Sequence, residues 1–175
     1  MDKNRNEHDA SAAIKANEYI RSARTFLKNG EQKAAYGVLL QAVIHYPDNA
    51  LILSYYGCLQ AIVDKKYRSG IESCRKALAM FKAADMYTAS IVYPILHLNL
   101  GRAYLAAGRK KEATDVFAKG LAYDRNHVEL KKEQQLLGVR KRLPVPFLSR
   151  SNPINKYIGL VLHATGKGAK PRKGK

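Results

Sequence analysis

Tryptophan is absent from this 175-residue chain, and the only cysteines are Cys58 and Cys74. Two cysteines cannot supply the disulfide framework of a small secreted domain. They suit free, buried thiols in a reducing compartment. Proline is scarce as well: between Ser11 and Gly138 only Pro47 and Pro94 occur. That favours long helices over many short strands. No apolar run approaches the ~20 residues of a membrane span. Met1 to Asn17 lacks the apolar core of a signal peptide, so a cytoplasmic location is expected.

Acidic residues are few, 14 against 31 basic, which gives a formal charge of +17. The imbalance is uneven. Residues 131–175 hold 12 basic side chains and one acid, Glu133. Such an end points to an anionic partner: an acidic protein, nucleic acid or an anionic membrane surface. It serves equally as a solubilising tail. Catalytic constellations are missing too. His8, His45, His97, His127 and His163 share no ligand spacing with the cysteines, so no metal or cofactor is expected. Gly166-Lys167-Gly168 has no strand before it and does not make a phosphate loop. No nucleophile–base grouping emerges, and no enzymatic activity is expected.

What is present is a 46% hydrophobic chain with an internal repeat. Small residues recur in three series: Ala23, Gly57, Gly101; Ala35, Gly70, Ala113; and Ala42, Ala77, Gly120. Each series spans 78 residues, ten more than two periods of 34. Paired helices approach closely only where small side chains mark the crossing. Large residues fill in around it: Phe26, Leu39 and Val43, then Leu53, Tyr56, Ile71 and Leu78, then Leu100, Tyr104, Phe117 and Leu121. Gly30 and Gly108 end first helices. Asp48 or Asn49 caps the next pair, and Asp124-Arg125-Asn126 does the same before a last helix. The excess falls as one residue in the middle turn and nine after the second pair. Asp85 is a candidate cap there, and Pro94 is placed at the start of the third pair, with an extended or kinked helix near Tyr93.

These positions resemble the tetratricopeptide repeat (TPR) family. The third repeat carries the likeness best, through Gly101-Arg102-Ala103-Tyr104, Gly108, Ala113, Phe117, Gly120-Leu121 and Asp124. The first carries it through Tyr19, Ala23, Phe26, Gly30, Ala35, Ala42 and Pro47. The middle repeat departs from the pattern with Gln60 for an aromatic and Lys65 for glycine, and Arg125 replaces a closing proline in the third. The resemblance implies an all-α, right-handed superhelical solenoid of antiparallel helix pairs. Its frames are 16–49, 50–83 and 94–127, with a capping helix over 126–137 behind a flexible N-terminus, 1–15. It also implies a non-catalytic scaffold or adaptor that holds a partner polypeptide in a concave groove. Carried over, the groove positions are Asn17, Ile20, Arg24, Leu27 and Lys28; Leu51, Ser54, Cys58, Ala61 and Ile62; and Ile95, Leu98, Asn99, Arg102, Leu105 and Ala106. The groove is thus apolar with cationic points at Arg24, Lys28 and Arg102, and the expected ligand has apolar anchors and some carboxylates. The two-carboxylate clamp of chaperone-binding members matches poorly, because its places hold Ile20, Arg24, Tyr55, Ile95 and Asn99.

Beyond Gly138 come Arg140-Lys141-Arg142 and Leu143-Pro144-Val145-Pro146-Phe147-Leu148, which read as an extended segment with Phe147 and Leu148 as anchors. Ile154, Tyr157, Ile158, Val161 and Leu162 follow at helical spacing, and 164–175 read as a disordered basic tail. This segment is expected to fold back on the array; it also suits a detachable motif or weak membrane contact. A nucleic-acid- or ribosome-associated protein acting through the basic end is a second reading of function. A secretion-type chaperone is a third, which the basic charge fits poorly.

Overall fold

The computed structural model describes the backbone of residues 2–138 and the side chains of 12–138. The fold-back segment and its residues Arg140, Lys141, Arg142, Phe147, Leu148 and Tyr157 lie outside the described residues. Those described form seven helices and no strand: α1 (Asp2–Lys28), α2 (Gln32–His45), α3 (Ala50–Val63), α4 (Tyr67–Met80), α5 (Met86–Ala106), α6 (Lys110–Tyr123) and α7 (Val128–Gly138).

Each of the three pairs turns over through one residue with left-handed backbone: Gly30 (φ 81°), Lys65 (φ 59°) and Gly108 (φ 76°). In the first and third pairs the turn closes with Glu31 N–H to Phe26 O and Arg109 N–H to Tyr104 O, both 2.9 Å. This is the Schellman arrangement that glycine favours. In the middle pair Lys66 N–H reaches Gln60 O at 3.3 Å, one residue further back. The extra residue sits in that turn, and Lys65 adopts the conformation that glycine holds in the others. Gln60 itself is buried and donates to the Tyr56 hydroxyl at 3.0 Å.

Side-chain caps start the later helices. Asn49 Oδ1 accepts from Ile52 N–H at 3.1 Å, and Asp85 Oδ1 from Thr88 N–H at 2.6 Å. At α7 the cap is His127, whose Nδ1 accepts from Leu130 N–H at 3.3 Å. Asp124 instead closes a local turn onto Asn126 N–H.

Three expectations need correction. Residues 2–15, read as a flexible lead-in, are helical: Ala10, Ala12, Ala13 and Ala16 favour helix, and no glycine or proline interrupts before Gly30. Pro94 does not start the third pair; of the two forms expected there the extended helix is present, with Pro94 as the ninth residue of a continuous α5. Its missing N–H removes a single helical bond. The two turns before it are held by the Asp85 cap and by Tyr93, which stacks on Tyr123 at 4.5 Å and meets Phe81 edge-on at 5.1 Å. The nine residues of excess therefore serve largely to lengthen α5 to 21 residues, against 14 in α3. Third, the caps of the last helix are not Asp124 or Asn126, because the turn places His127 at the Ncap.

Helices α1, α3 and α5 touch in sequence, α3 against both others, whereas α2, α4 and α6 do not touch one another. Each of α2 and α4 sits between its own partner and the next first helix. The layer whose members are in contact is the tighter and hence concave one. The core runs along it as three adjoining clusters, one with Ala16, Ala23 and Leu39, one with Leu53, Ala77 and Leu96, and one with Ala103, Phe117 and Leu130, bridged by the half-buried Val43, Leu51, Tyr56 and Leu78. Leu130 of α7 closes the far end over Gly120.

Candidate functional site

The inner face is uneven. Helices α1 and α5 both pack on α3 but not on each other, which leaves a cleft of about 420 Å³ between them. Its lining comes from Asn17, Ile20, Arg21, Arg24, Thr25 and Lys28 of α1, Leu51 of α3, and Ile91, Val92 and Ile95 of α5. Six of the carried-over groove positions thus meet here: Asn17, Ile20, Arg24, Lys28, Leu51 and Ile95. Arg21, Arg24 and Lys28 make no ion pair with any described residue, and no acidic residue lines the cleft. Ile20 is buried at the base, Leu51 and Ile95 are half-buried, and the three cations are exposed.

Other groove positions lie elsewhere. Ser54, Cys58, Ala61, Leu98 and Asn99 are buried. Asn99 Nδ2 donates to Ser54 Oγ at 3.1 Å and so ties α5 to α3. The Cys74 thiol donates to Ser54 O at 3.3 Å. Burial pushes the Cys58 thiol up to about 12 and that of Cys74 well above its ordinary value. Both are inert, protonated core thiols. Leu27, Ile62, Leu105 and Ala106 are half-buried against the core clusters.

Arg102 is already engaged. Its Nε donates to Glu133 at 2.8 Å and its NH2 group to Glu129 at 3.0 Å, both on α7. Burial opposes its charge, but the Glu133 bond and the two carboxylates outweigh burial and raise its pKa. The capping helix has taken this cation as its anchor. The expectation that Arg102 presents a free cation is thereby corrected: carboxylates of the chain itself neutralise it.

Sequence reasoning missed Arg21, Thr25, Ile91 and Val92. A signal for Arg21 existed, since Asn17, Arg21, Arg24 and Lys28 repeat at intervals of four, three and four and share one helical face. No repeat frame could have found Ile91 and Val92, because they fall in the lengthened part of α5.

A second hollow, about 440 Å³, opens between α4 and α6 over α5. Its charges balance: Arg75 and Lys119 against Glu112 and Asp115. His97 lines it, with Nδ1 2.7 Å from Tyr93 O, and burial lowers its pKa. No group of three or more His, Cys, Asp or Glu side chains that could hold a metal occurs among the described residues. None of the described helices is long and apolar enough to cross a membrane.

Solved structures match this architecture. The second TPR domain of human RPAP3, in complex with the HSP70 peptide SGPTIEEVD, is 17% identical at a TM-score of 0.51, with 74% of this chain and 99% of that chain covered. The chain has the tetratricopeptide repeat fold. The first TPR domain of human RPAP3 (18%, TM-score 0.52, 70% and 88% covered) and the Arabidopsis OM64 TPR domain (16%, 0.51, 70% and 93%) agree. No protein-family model and no curated protein matches the sequence. Within this TPR array the lengthened α5 and the cleft beside it are built from residues outside the three 34-residue frames.

Proposed function

We propose that this TPR array is a non-catalytic scaffold that holds a partner polypeptide on its concave face. The observation that carries the reading is the α1–α5 cleft, where three cations without a described ion-pair partner flank an apolar floor. Solved TPR domains with bound HSP70 and HSP90 peptides lend support at the level of fold. The chaperone clamp itself is not the model for this site. Of its five places, Ile20, Tyr55 and Asn99 are buried and Ile95 is half-buried, leaving Arg24 as the one exposed cation.

A photo-crosslinking residue at Thr25, with another at Lys119 on the far hollow, tests the reading in the full chain. Crosslinks to another polypeptide are expected from Thr25 and lost in the Arg21→Glu, Arg24→Glu double variant, with circular dichroism unchanged. Crosslinks confined to Lys119, or undiminished in a folded double variant, would sink the concave-face assignment. The basic end carries a second reading, association with nucleic acid. It predicts RNA or DNA binding that weakens steeply with salt and disappears on deleting 164–175.

A further inference from the structure

The hollow on the outer side of the array, between α4 and α6, is floored by two turns of α5. His97, Leu100 and Tyr104 stand there in line, at intervals of three and four. Leu78 and Ala79 of α4 and Val116 of α6 make its walls apolar. His97 is 5% exposed, and its Nδ1 lies 2.7 Å from the Tyr93 carbonyl oxygen. A carbonyl only accepts, so Nδ1 carries the ring proton and Nε2 presents a lone pair. Burial, with the Lys119 charge nearby, lowers the pKa of the ring and keeps it neutral. No described residue donates to Nε2. The one sealed side-chain polar atom without a partner among the described residues is Gln60 Oε1. Nε2 therefore opens outward, into the hollow that His97 lines, and an acceptor so placed gains from a donor brought to it.

The surroundings of Nε2 specify the ligand further. Arg75 and Lys119 balance Glu112 and Asp115 at the edge, which favours a neutral molecule over an ion. The chain itself occupies both ends. Past His97, Tyr123 stacks on Tyr93 at 4.5 Å. Past Tyr104, Arg109 lies 4.8 Å over the Tyr104 ring and pairs with Glu112 at 2.8 Å. The open floor is the ~10 Å of helix between these two ends, a length that suits fused rings. A volume of about 440 Å³ lies in the range of small-molecule sites, which are mostly apolar with a few placed polar groups. Going beyond the scaffold reading, we propose that the outer hollow between α4 and α6 binds a small neutral aromatic molecule whose N–H or O–H group donates to His97 Nε2. Its rings lie on Leu100, between Leu78 and Val116.

NMR titration of the full chain with indole, a neutral fused ring with one donor, tests the site. The control is 1-methylindole, the same ring without the donor. Indole is expected to bind about tenfold more tightly and to move the His97 Nε2 resonance. His97→Phe keeps a ring on the floor but removes the acceptor, and should bring indole down to the affinity of 1-methylindole. Ala79→Phe, at an exposed position of the wall, fills the hollow without touching the core and should abolish binding of both. Acetyl-Gly-Trp-Gly-amide carries the same indole on a backbone and is expected to bind about tenfold more weakly than indole. Equal affinity for indole and 1-methylindole, no binding of indole, or binding undiminished in a folded Ala79→Phe chain would overturn the proposal. So would tighter binding of the peptide, which would give the site to a partner's tryptophan side chain. The Thr25 crosslink reads the concave cleft, so the scaffold reading stands or falls independently of these outcomes.

Discussion

In the second and third pairs the helices cross on glycine; in the first they cross on alanine. A Cβ on Gly57 would stand 2.6 Å from the Gly70 carbonyl oxygen, and one on Gly101 would lie within the Phe117 ring. Ala23 and Ala35, both fully buried, each place a methyl group at the crossing of the first pair. The first pair also packs less extensively, and α1 makes slight contact with α3. The later pairs are the rigid frame. The first is mounted on them with a gap, and the gap is the cleft. Close crossing gives stability, and looser crossing leaves surface for a partner.

Deleting the ring on the tight side should therefore do the greatest damage. Phe117→Ala is expected to cost about 3–5 kcal/mol in urea unfolding, because no neighbour can collapse onto Gly101. Leu39→Ala in the first pair should cost less, nearer ~2–3 kcal/mol, since its surroundings can close in. Equal losses would break the comparison between the pairs.

Two glycine substitutions sharpen it through their signs. Gly57→Ala should destabilise by about 1–3 kcal/mol, because the methyl meets Gly70 backbone and Ser73 Cβ and something must shift. Gly37, in the middle of α2, faces open space, so Gly37→Ala should stabilise by up to ~1 kcal/mol through helix propensity. Thermal melts of the two variants check the opposite signs.

Arg102→Ala probes the end of the rigid frame. The variant strands Glu133, whose side chain is 17% exposed, and should cost about 1–2 kcal/mol, with faster amide exchange in α7. Unchanged exchange there would mean that Leu130 alone anchors the helix.

The pH response of the third pair is gentler. His97 is buried beside Tyr93 and Tyr123, and burial holds its folded pKa below its unfolded value. The unfolded chain then binds the extra proton first. Its stabilising share is complete above about pH 6.5 and is lost as pH falls from there through the folded pKa. Unfolding midpoints followed downward from neutral pH should decline more in the native chain than in His97→Gln.

Much of this division was legible beforehand. The crossing residues, the Gly30 and Gly108 turns and the Asn49 and Asp85 caps each follow from a local rule that a single residue type satisfies. The cleft was half legible. Asn17, Arg24 and Lys28 lie in a regular frame, but Ile91 and Val92 acquire a role only because α5 runs on through Pro94. The packing that permits this joins Tyr93 to Phe81, just past the end of α4, and to Tyr123 at the end of α6. Ser54 and Asn99 read as groove residues because they fall at the family's inward-facing positions. Only tertiary contact reveals that they satisfy each other inside the layer. Likewise, nothing local marks Arg102 as an anchor until Glu129 and Glu133 are brought beside it.

The smallest expected effect lies in the turn that departs from its two counterparts. Lys65 holds a φ of 59°, which costs a side-chain-bearing residue roughly 1–2 kcal/mol. Glycine would relieve that cost but give up roughly 0.5–1 kcal/mol in chain entropy. Lys65→Gly should therefore stabilise by about 0.5–1 kcal/mol, read as a small rise in the urea midpoint at constant m-value. The Lys66 N–H to Gln60 O bond already spans one residue more than its counterparts, so the turn is longer whether or not glycine occupies it. If Lys65→Gly gained nothing, the wider loop would itself be shown to relax the left-handed residue. The middle turn would then differ from the other two in mechanics as well as in composition.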